Sequence, residues 1–339
     1  MSGGAYTFVV PATRPGPVRD LVAQLLSQGV PTDGVIVVDD SRDGAVSRAL
    51  GDVAVRTLRT DGSGQGVARN VGARAATSSW LVFLDDDVVP DDRLVSAMDA
   101  TVAALGERDG RLGIIEAEVR PTGPLVRPCW RNRLVEAHRP GGYLTACLIV
   151  RRQAFFDGGG LVSRSRGGFR EDTAFGLAVM DAGWTTAWSP TVRVSHPIED
   201  INLRAFLRTA AFFRFDAWFR RRHPRYLESV TRKQRLLGIR VGNLRSRVPP
   251  GAVLAAVVLS CTGRRGRWAA SAVIALGGAA LNAAHLNNLG RHADPPPCAL
   301  IDPREVLAHA LWAVVAGCSR LHGELEIELH RLCRRPVGA

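Results

Sequence analysis

The first hundred residues alternate short β-rich runs with helical patterns, and that alternation leaves few folds open. Tyr6–Val10 reads as a strand and Pro17–Gln28 as a helix with Leu21, Leu25 and Leu26 on one face. Val35–Val38 is a second strand, of the fully buried type, ending at Asp39 and Asp40, and Val53–Arg59 is a third. An alanine-rich helix over Gly66–Ala76 leads to a fourth strand, Trp80–Leu84, and Asp91–Leu105 follows as a helix. The pattern predicts an α/β layer with a mostly parallel sheet, in which ligands sit beyond the carboxyl ends of the strands. Two of those ends are acidic, at Asp39-Asp40 and at Asp85-Asp86-Asp87.

After Gly110 the pattern loosens. Ile114–Val119 and Tyr143–Val150 read as strands, Glu171–Ala182 as a helix, and Trp184–Trp188 and Val192–Ser195 as short strands. From Ile201 the chain becomes an arginine-punctuated aromatic helix, followed by short apolar runs at Gly251–Cys261 and Trp268–Leu281. Pro295–Pro297 precede a last helix near Glu305–Ser319. The expected organisation is an α/β domain over residues 1–200, a basic aromatic helical segment over 201–247 and an apolar helical region over 248–339. A chain of 339 residues has room for about two domains.

Charge is concentrated in one place. Residues 1–200 carry a net charge of −2, residues 201–247 carry +11 and residues 248–339 carry +3. Such a local basic excess points to an anionic partner. The six cysteines are scattered without a C-x-x-C pair, which argues against a disulfide scaffold or zinc ribbon and for a reducing compartment. No apolar run reaches the roughly 20 residues of a full span, and Met1–Gly4 lacks the basic and apolar regions of a signal peptide. The expectation is a cytoplasmic protein.

Several constellations could carry chemistry. Three consecutive carboxylates after Leu84 repel one another unless a cation sits there, and oxygen ligands suit Mg²⁺ or Mn²⁺. The alternative is a solvated acidic turn. Asp39-Asp40 reads as an Asx turn or as part of the same site, since two strand ends of one parallel sheet share an edge. Asp61–Asn70 lacks both the dinucleotide and the Walker fingerprints. It reads as a flexible turn that puts Arg69 at a helix start, a place that favours phosphate. Glu171 and Asp172 open a helix, where acids commonly cap. Following the Gly158–Gly160 and Gly167-Gly168 stretches, they read equally as a base delivered by a mobile loop. His196 alone is structural or a ligand.

The order Phe8–Pro11, Val37–Ser41, Gly66–Gly72, Phe83–Asp87, Glu171-Asp172 and Val194-x-His196 resembles the family 2 inverting glycosyltransferases, over roughly residues 6–220. The resemblance implies a GT-A fold, a Rossmann-like sheet flanked by helices, and a nucleotide-sugar donor linked to UDP, GDP or dTDP. It implies that Pro11, Thr13, Arg14, Asp39 and Asp40 border the base and ribose, with Gly66, Arg69, Asn70 and Asp86 also on the donor side. Asp85 and Asp87 resemble the outer acids of the D-x-D motif and His196 the last metal ligand, for Mn²⁺ or Mg²⁺. Asp172 resembles the general base, with Glu171 beside it. The first motif reads Pro11-Ala-Thr-Arg14 rather than the family's Pro-Thr-x-Asn, so the base of the donor stays open. The acceptor strand Tyr143–Cys147 also departs from the family run, leaving a glycan, a lipid-linked or a small-molecule hydroxyl as acceptor.

With Lys233 the only lysine, charge on a departing nucleoside diphosphate falls to the metal and to arginines such as Arg69. A sugar-phosphate nucleotidyltransferase should show a glycine-rich basic loop directly after the first strand, yet no glycine precedes Gly16 there. A nucleic-acid binder could stack bases on Phe206, Phe212, Phe213, Phe215 and Trp218 among the arginines. The acidic strand ends fit that role poorly, and no nucleic-acid partner is expected. The same aromatic-arginine mixture suits an interfacial helix on an anionic membrane surface, here the inner face of the cell membrane, with two short helices lying on it.

Overall fold

The computed structural model describes residues 5–106, 109–123, 129–162, 170–223, 235–236, 239–240, 252, 255–256, 258–259, 261, 263–289 and 302–333. The chain divides into two units, one of Met1–Gly123 with Leu134–Ile198, the other of Pro124–Arg133 with Glu199–Ala339.

The first unit is built on an eight-stranded sheet. Its strands are β1 (Tyr6–Ala12), β2 (Val35–Asp39), β3 (Arg56–Arg59), β4 (Trp80–Leu84), β5 (Val89–Pro90), β6 (Leu112–Pro121), β7 (Cys147–Arg151) and β8 (Thr185–His196). Its helices are α1 (Pro15–Ser27), α2 (Ala45–Ala49), α3 (Gln65–Ala75), α4 (Leu94–Gly106), α5 (Arg152–Asp157) and α6 (Glu171–Asp181). The order across the sheet is β3-β2-β1-β4-β7-β6-β8-β5. β1 to β4 pair in parallel, β7 runs antiparallel to both β4 and β6, and β6 and β8 are again parallel. The sheet is therefore mixed, with its parallel character concentrated in the first four strands.

Period two explains the core. Phe8, Val10, Val35, Val37, Val82 and Leu84 face one side, packed with Val18, Leu21, Val22 and Leu25 of α1. Val9, Ile36, Val38, Leu81 and Phe83 face the other, packed with Ala68 and Ala73 of α3. Strands covered on both faces read as unbroken apolar runs, as these do. Helix α3 lies so close that a Cβ on Gly72 would sit 2.3 Å from Val9 Cγ1, which is why this helix is rich in alanine and glycine.

Two strand expectations change in detail. The two short strands around Pro190 are one strand, β8, whose register against β6 jumps from Ala117↔Ser189 to Glu118↔Arg193. The bulge absorbs the proline, which cannot donate to the ladder, and pairing resumes beyond it. The strand expected from Tyr143 begins only at Cys147, because Tyr143 has a left-handed φ of 55°. Helices α2 and α5 are too short to carry a periodic signal.

The second unit holds α7 (Leu203–Ala211), a 3₁₀ turn at Phe212–Phe215, α8 (Asp216–Arg222), α9 (Arg264–Leu289) and α10 (Pro303–Cys333). Asn132–Arg133 pairs antiparallel with Glu199–Asp200. Phe206, Ala210 and Phe213 form one helical face that packs with Leu281, Ala308, Trp312, Ala313 and Ala316. Trp312 Nε1 donates to Thr209 Oγ1 at 2.8 Å, and Arg320 Nη2 meets buried Asp216 Oδ2 at 2.6 Å. Phe206 and Phe213, expected at a lipid surface, are thus core residues. Spacing alone cannot tell a core-facing aromatic stripe from a lipid-facing one. Trp268–Leu281 lies within the longer α9, and the last helix extends past its expected end to Cys333. Much of Gly251–Cys261, and 224–234 and 241–247 of the basic segment, lie outside the described residues. Among the described residues no helix is long and apolar enough to cross a membrane.

Candidate active site

The acids that close β4 point in three directions and do three different things. Asp86 is 4 % exposed and ties down the turn after β1. Its Oδ2 accepts the backbone N–H groups of Thr13 and Arg14 at 3.1 and 3.4 Å, and its Oδ1 meets Arg14 Nη2 at 2.8 Å. Asp87 Oδ2 also meets Arg14 Nη2, at 2.6 Å. Asp85 Oδ1 accepts from Arg69 Nη2 at 2.5 Å.

His196, the last residue of β8, reaches the same place from the far side of the sheet. Its Nε2 lies 3.4 Å from Asp87 Oδ1 and 3.9 Å from Asp85 Oδ2. Potential ligand atoms of Asp85, Asp87 and His196 lie within 4.8 Å of one another. His196 Nδ1 is 3.0 Å from the Pro197 carbonyl, which can only accept. In the neutral imidazole that bond puts the proton on Nδ1 and turns the Nε2 lone pair towards the carboxylates. Lone pair facing lone pair is an arrangement that a divalent cation satisfies. Two carboxylates and an imidazole are a fitting donor set for Mn²⁺ and, with less preference for the nitrogen, Mg²⁺.

Helix α6 brings the next two acids. Arg170 precedes it with a left-handed φ of 57°, and Glu171 and Asp172 form its first turn. Of the glycine-rich stretches expected to deliver them, Gly158–Gly160 follows α5, while Gly167-Gly168 lies outside the described residues. Buried Glu171 puts Oε1 3.6 Å from Arg69 Nη1, while its buried Oε2 has no hydrogen-bond partner among the described residues. Asp172 Oδ2 accepts the Thr145 N–H at 3.2 Å. Burial pushes the Asp172 carboxyl up to about 7, with Arg69 pulling it down and Glu171 and Asp85 pushing it up. A carboxyl that titrates near neutrality is suited to accept a proton.

Arg69 links the two groups of acids. Its side chain is 2 % exposed, and its guanidinium is taken up by Asp85 and Glu171 rather than presented at the helix start to a phosphate. The helix begins at Gln65, so Arg69 falls in the second turn, facing the core. Asp39 is bonded within the turn that follows β2. Its Oδ1 accepts from Ser41 N and Oγ at 2.9 and 2.5 Å, and its Oδ2 from Ser47 N and Oγ at 2.9 and 2.6 Å. Despite burial, these bonds hold its carboxyl below the usual range, and they leave it as a brace for the turn after β2. Asp40 accepts from Thr60 Oγ1 at 2.7 Å and from Gly64 N at 2.9 Å.

Asn70 turns away from the acids and clasps Leu161, donating to its carbonyl at 2.7 Å and accepting from its N–H at 2.9 Å. Pro11 is buried in β1 opposite Val38 and Gly66 is buried in α3, whereas Thr13 and Arg14 are exposed. Glu116 was not singled out by the sequence, and of the turn 141–145 behind Asp172 only Tyr143–Thr145 was, as part of the expected acceptor strand. The available signal was an acid in the middle of an apolar strand.

The family described as Glycosyl transferase family 2 matches residues 8–156. Among solved structures, the chain is similar to the mannosyltransferase PcManGT from Pyrobaculum calidifontis in complex with GDP-Man and Mn²⁺. The identity is 17 %, the TM-score 0.52, and the match covers 94 % of this chain and 87 % of that one. GalNAc-T7 with UDP, GalNAc and Mn²⁺ matches at 13 % identity and a TM-score of 0.45, over 66 % of this chain and 51 % of that one. No curated protein matches the chain. The likeness to PcManGT is one of fold, the mixed α/β sheet with helices on its faces.

Proposed function

From the match of residues 8–156 to glycosyl transferase family 2 we propose that this chain is a glycosyltransferase that works by metal-dependent single displacement. A sugar passes from a nucleoside-diphosphate donor to an acceptor hydroxyl, with inversion at the anomeric carbon. The reading rests on one observation, the convergence of Asp85, Asp87 and His196 at one end of the Arg69 ion-pair chain and Asp172 beyond the other.

Asp85, Asp87 and His196 would hold Mn²⁺ or Mg²⁺. When bound, the ion stabilises negative charge developing on the departing diphosphate. Arg69 keeps Asp85 and Glu171 at fixed separation, so the ligand side and the base side do not drift apart. Asp172 takes the proton of the attacking hydroxyl, a poor nucleophile until it is relieved of it. Arg14, half exposed beside Asp87, together with Thr13 and Asp40, faces the donor. The donor is a UDP-, GDP- or dTDP-sugar, and GDP-mannose is tried first because PcManGT was captured with it. The acceptor is a glycan, lipid-linked or small-molecule hydroxyl. The expected result of a donor screen is nucleoside-diphosphate release from one of these sugars with Mn²⁺ or Mg²⁺ and none with EDTA. Equal release in EDTA would end the metal-dependent reading.

We also propose that the helical unit rests on the cytoplasmic face of a membrane rich in anionic lipid. Trp268 and Leu276 of α9 are 73 % and 70 % exposed, next to exposed Arg265 and Arg267. Apolar bulk beside guanidinium groups favours an anionic interface. Full-length protein is expected to float with vesicles containing anionic lipid and to stay behind with neutral ones. Failure to float, with a monodisperse detergent-free protein, would make these helices an ordinary soluble core.

A further inference from the structure

Glu116 is a buried acid to which the chemistry above gives no task. It stands in the middle of β6, 3 % exposed, between the core residues Ile115 and Ala117. A carboxylate in such surroundings is costly unless it is fully hydrogen-bonded. The donors are backbone amides. Gly141 N–H donates to both oxygens, at 2.9 and 3.0 Å, Gly142 N–H to Oε2 at 3.1 Å and Tyr143 N–H to Oε2 at 2.8 Å. Successive amides curled round one anion form a nest, and the angles suit it: φ is 102° at Gly141 and 55° at Tyr143. A tyrosine at positive φ persists only where its surroundings hold it there.

The other side of this turn meets α6 along much of its length. Thr173 Oγ1 donates to the Gly142 carbonyl at 3.3 Å, and the Tyr143 hydroxyl donates to Met180 Sδ at 3.1 Å. The Tyr143 ring lies over Gly176, where a Cβ would come within 2.2 Å of it. Thr145 N–H then donates to Asp172 Oδ2. The groups whose charge acts on Asp172 are Arg69, Glu171 and Asp85. Glu116 meets this turn through the backbone amides of residues 141–143, and that is the route by which it bears on Asp172.

We propose that Glu116 is a positioning residue for the transfer: its carboxylate clamps residues 141–143, and through the Tyr143 ring and the Thr145 amide it fixes α6 with Asp172 in line with the acceptor. The inference rests on Asp172 being the base. A buried acid spent on three loop amides has this as its chemical use.

The test uses Glu116→Gln in the full chain, with nucleoside-diphosphate release from GDP-mannose, or from whichever UDP- or dTDP-sugar the wild type turns over. The glutamine keeps the size but opposes an N–H₂ group to amide donors. Because small displacements of a reacting group are costly in rate, kcat should fall about 10- to 100-fold. Donor KM and calorimetric binding of the matching nucleoside diphosphate with Mn²⁺ should stay within about twofold, since uniform binding is untouched. Introduced into an Asp172→Asn background, Glu116→Gln should cost nothing further, because the group it positions is already disabled. An equal loss in both backgrounds, a loss shared by KM and binding, or an unchanged kcat would overturn the proposal. Near-normal kcat in Asp172→Asn alone would instead bring down the base assignment, and the clamp with it. If Glu116→Gln does not fold, Gly141→Ala disturbs the same nest through its backbone angle, with open space around the new methyl, and must give the same pattern.

Discussion

Asp172→Asn is expected to lower kcat at least about 10²-fold while leaving donor affinity almost unchanged. The amide matches the carboxylate in size and can still accept the Thr145 N–H, so the first turn of α6 keeps its shape. What it cannot do is take up a proton. The pH profile gives an independent reading of the same group. Burial raises the Asp172 carboxyl to about 7, and a base must be ionised to act. The wild-type kcat should therefore fall as pH drops through about 7, and the residual rate of the variant should not follow that limb. Near-normal turnover with a lowered Tm would mean that Asp172 only caps its helix.

Asp87→Asn should abolish turnover and weaken Mn²⁺-dependent binding of a nucleoside diphosphate by at least about 10²-fold, since even residues that only orient metal ligands commonly cost 10- to 100-fold. Asp87 is shared, with one oxygen facing His196 Nε2 and the other on Arg14. Removing its charge takes a ligand from the cluster, while Arg14 keeps its bond to Asp86, so the β1 turn survives. The expected failure is thus one of metal binding and not of folding. Calorimetric binding equal to wild type in both Mn²⁺ and EDTA would show that the cluster is not a metal site.

Much of this architecture was legible in the sequence because its carriers are local. Runs such as Val35–Val38 and Trp80–Leu84 must be strands covered on both faces, and the acids directly behind them must lie on the sheet edge. The family order then linked Asp85, Asp87, Asp172 and His196 across long separations. What stayed hidden depends on side-chain direction. Asp85, Asp86 and Asp87 are chemically identical letters, yet one binds Arg69, one staples a turn and one faces His196. Nothing in the spacing of Arg69 says that it turns inward, or that Ser41 and Ser47 use up Asp39. Glu116 was missed because its partners are backbone amides of residues 141–143, which leave no mark on residue type beyond two glycines. Phe206 and Phe213 were misplaced because a stripe of aromatics looks the same facing lipid or facing Trp312.

The position of β8 in the sheet bears on how the protein comes into being. β8 is the last strand of the eight-stranded sheet to be synthesised, yet it sits between β6 and β5 and carries His196 at its end. A nascent chain that has emerged only as far as residue 156, the extent of the family match, has β6 with an unpaired edge, and both Asp172 and His196 are still to come. Long-range parallel pairing of this kind is slow, and open strand edges invite association with other chains. An ion held by Asp85, Asp87 and His196 could not serve as a folding nucleus, because that donor set is incomplete until β8 has docked. Maturation of the site and protection from aggregation are therefore one late event, governed by the docking of a single strand.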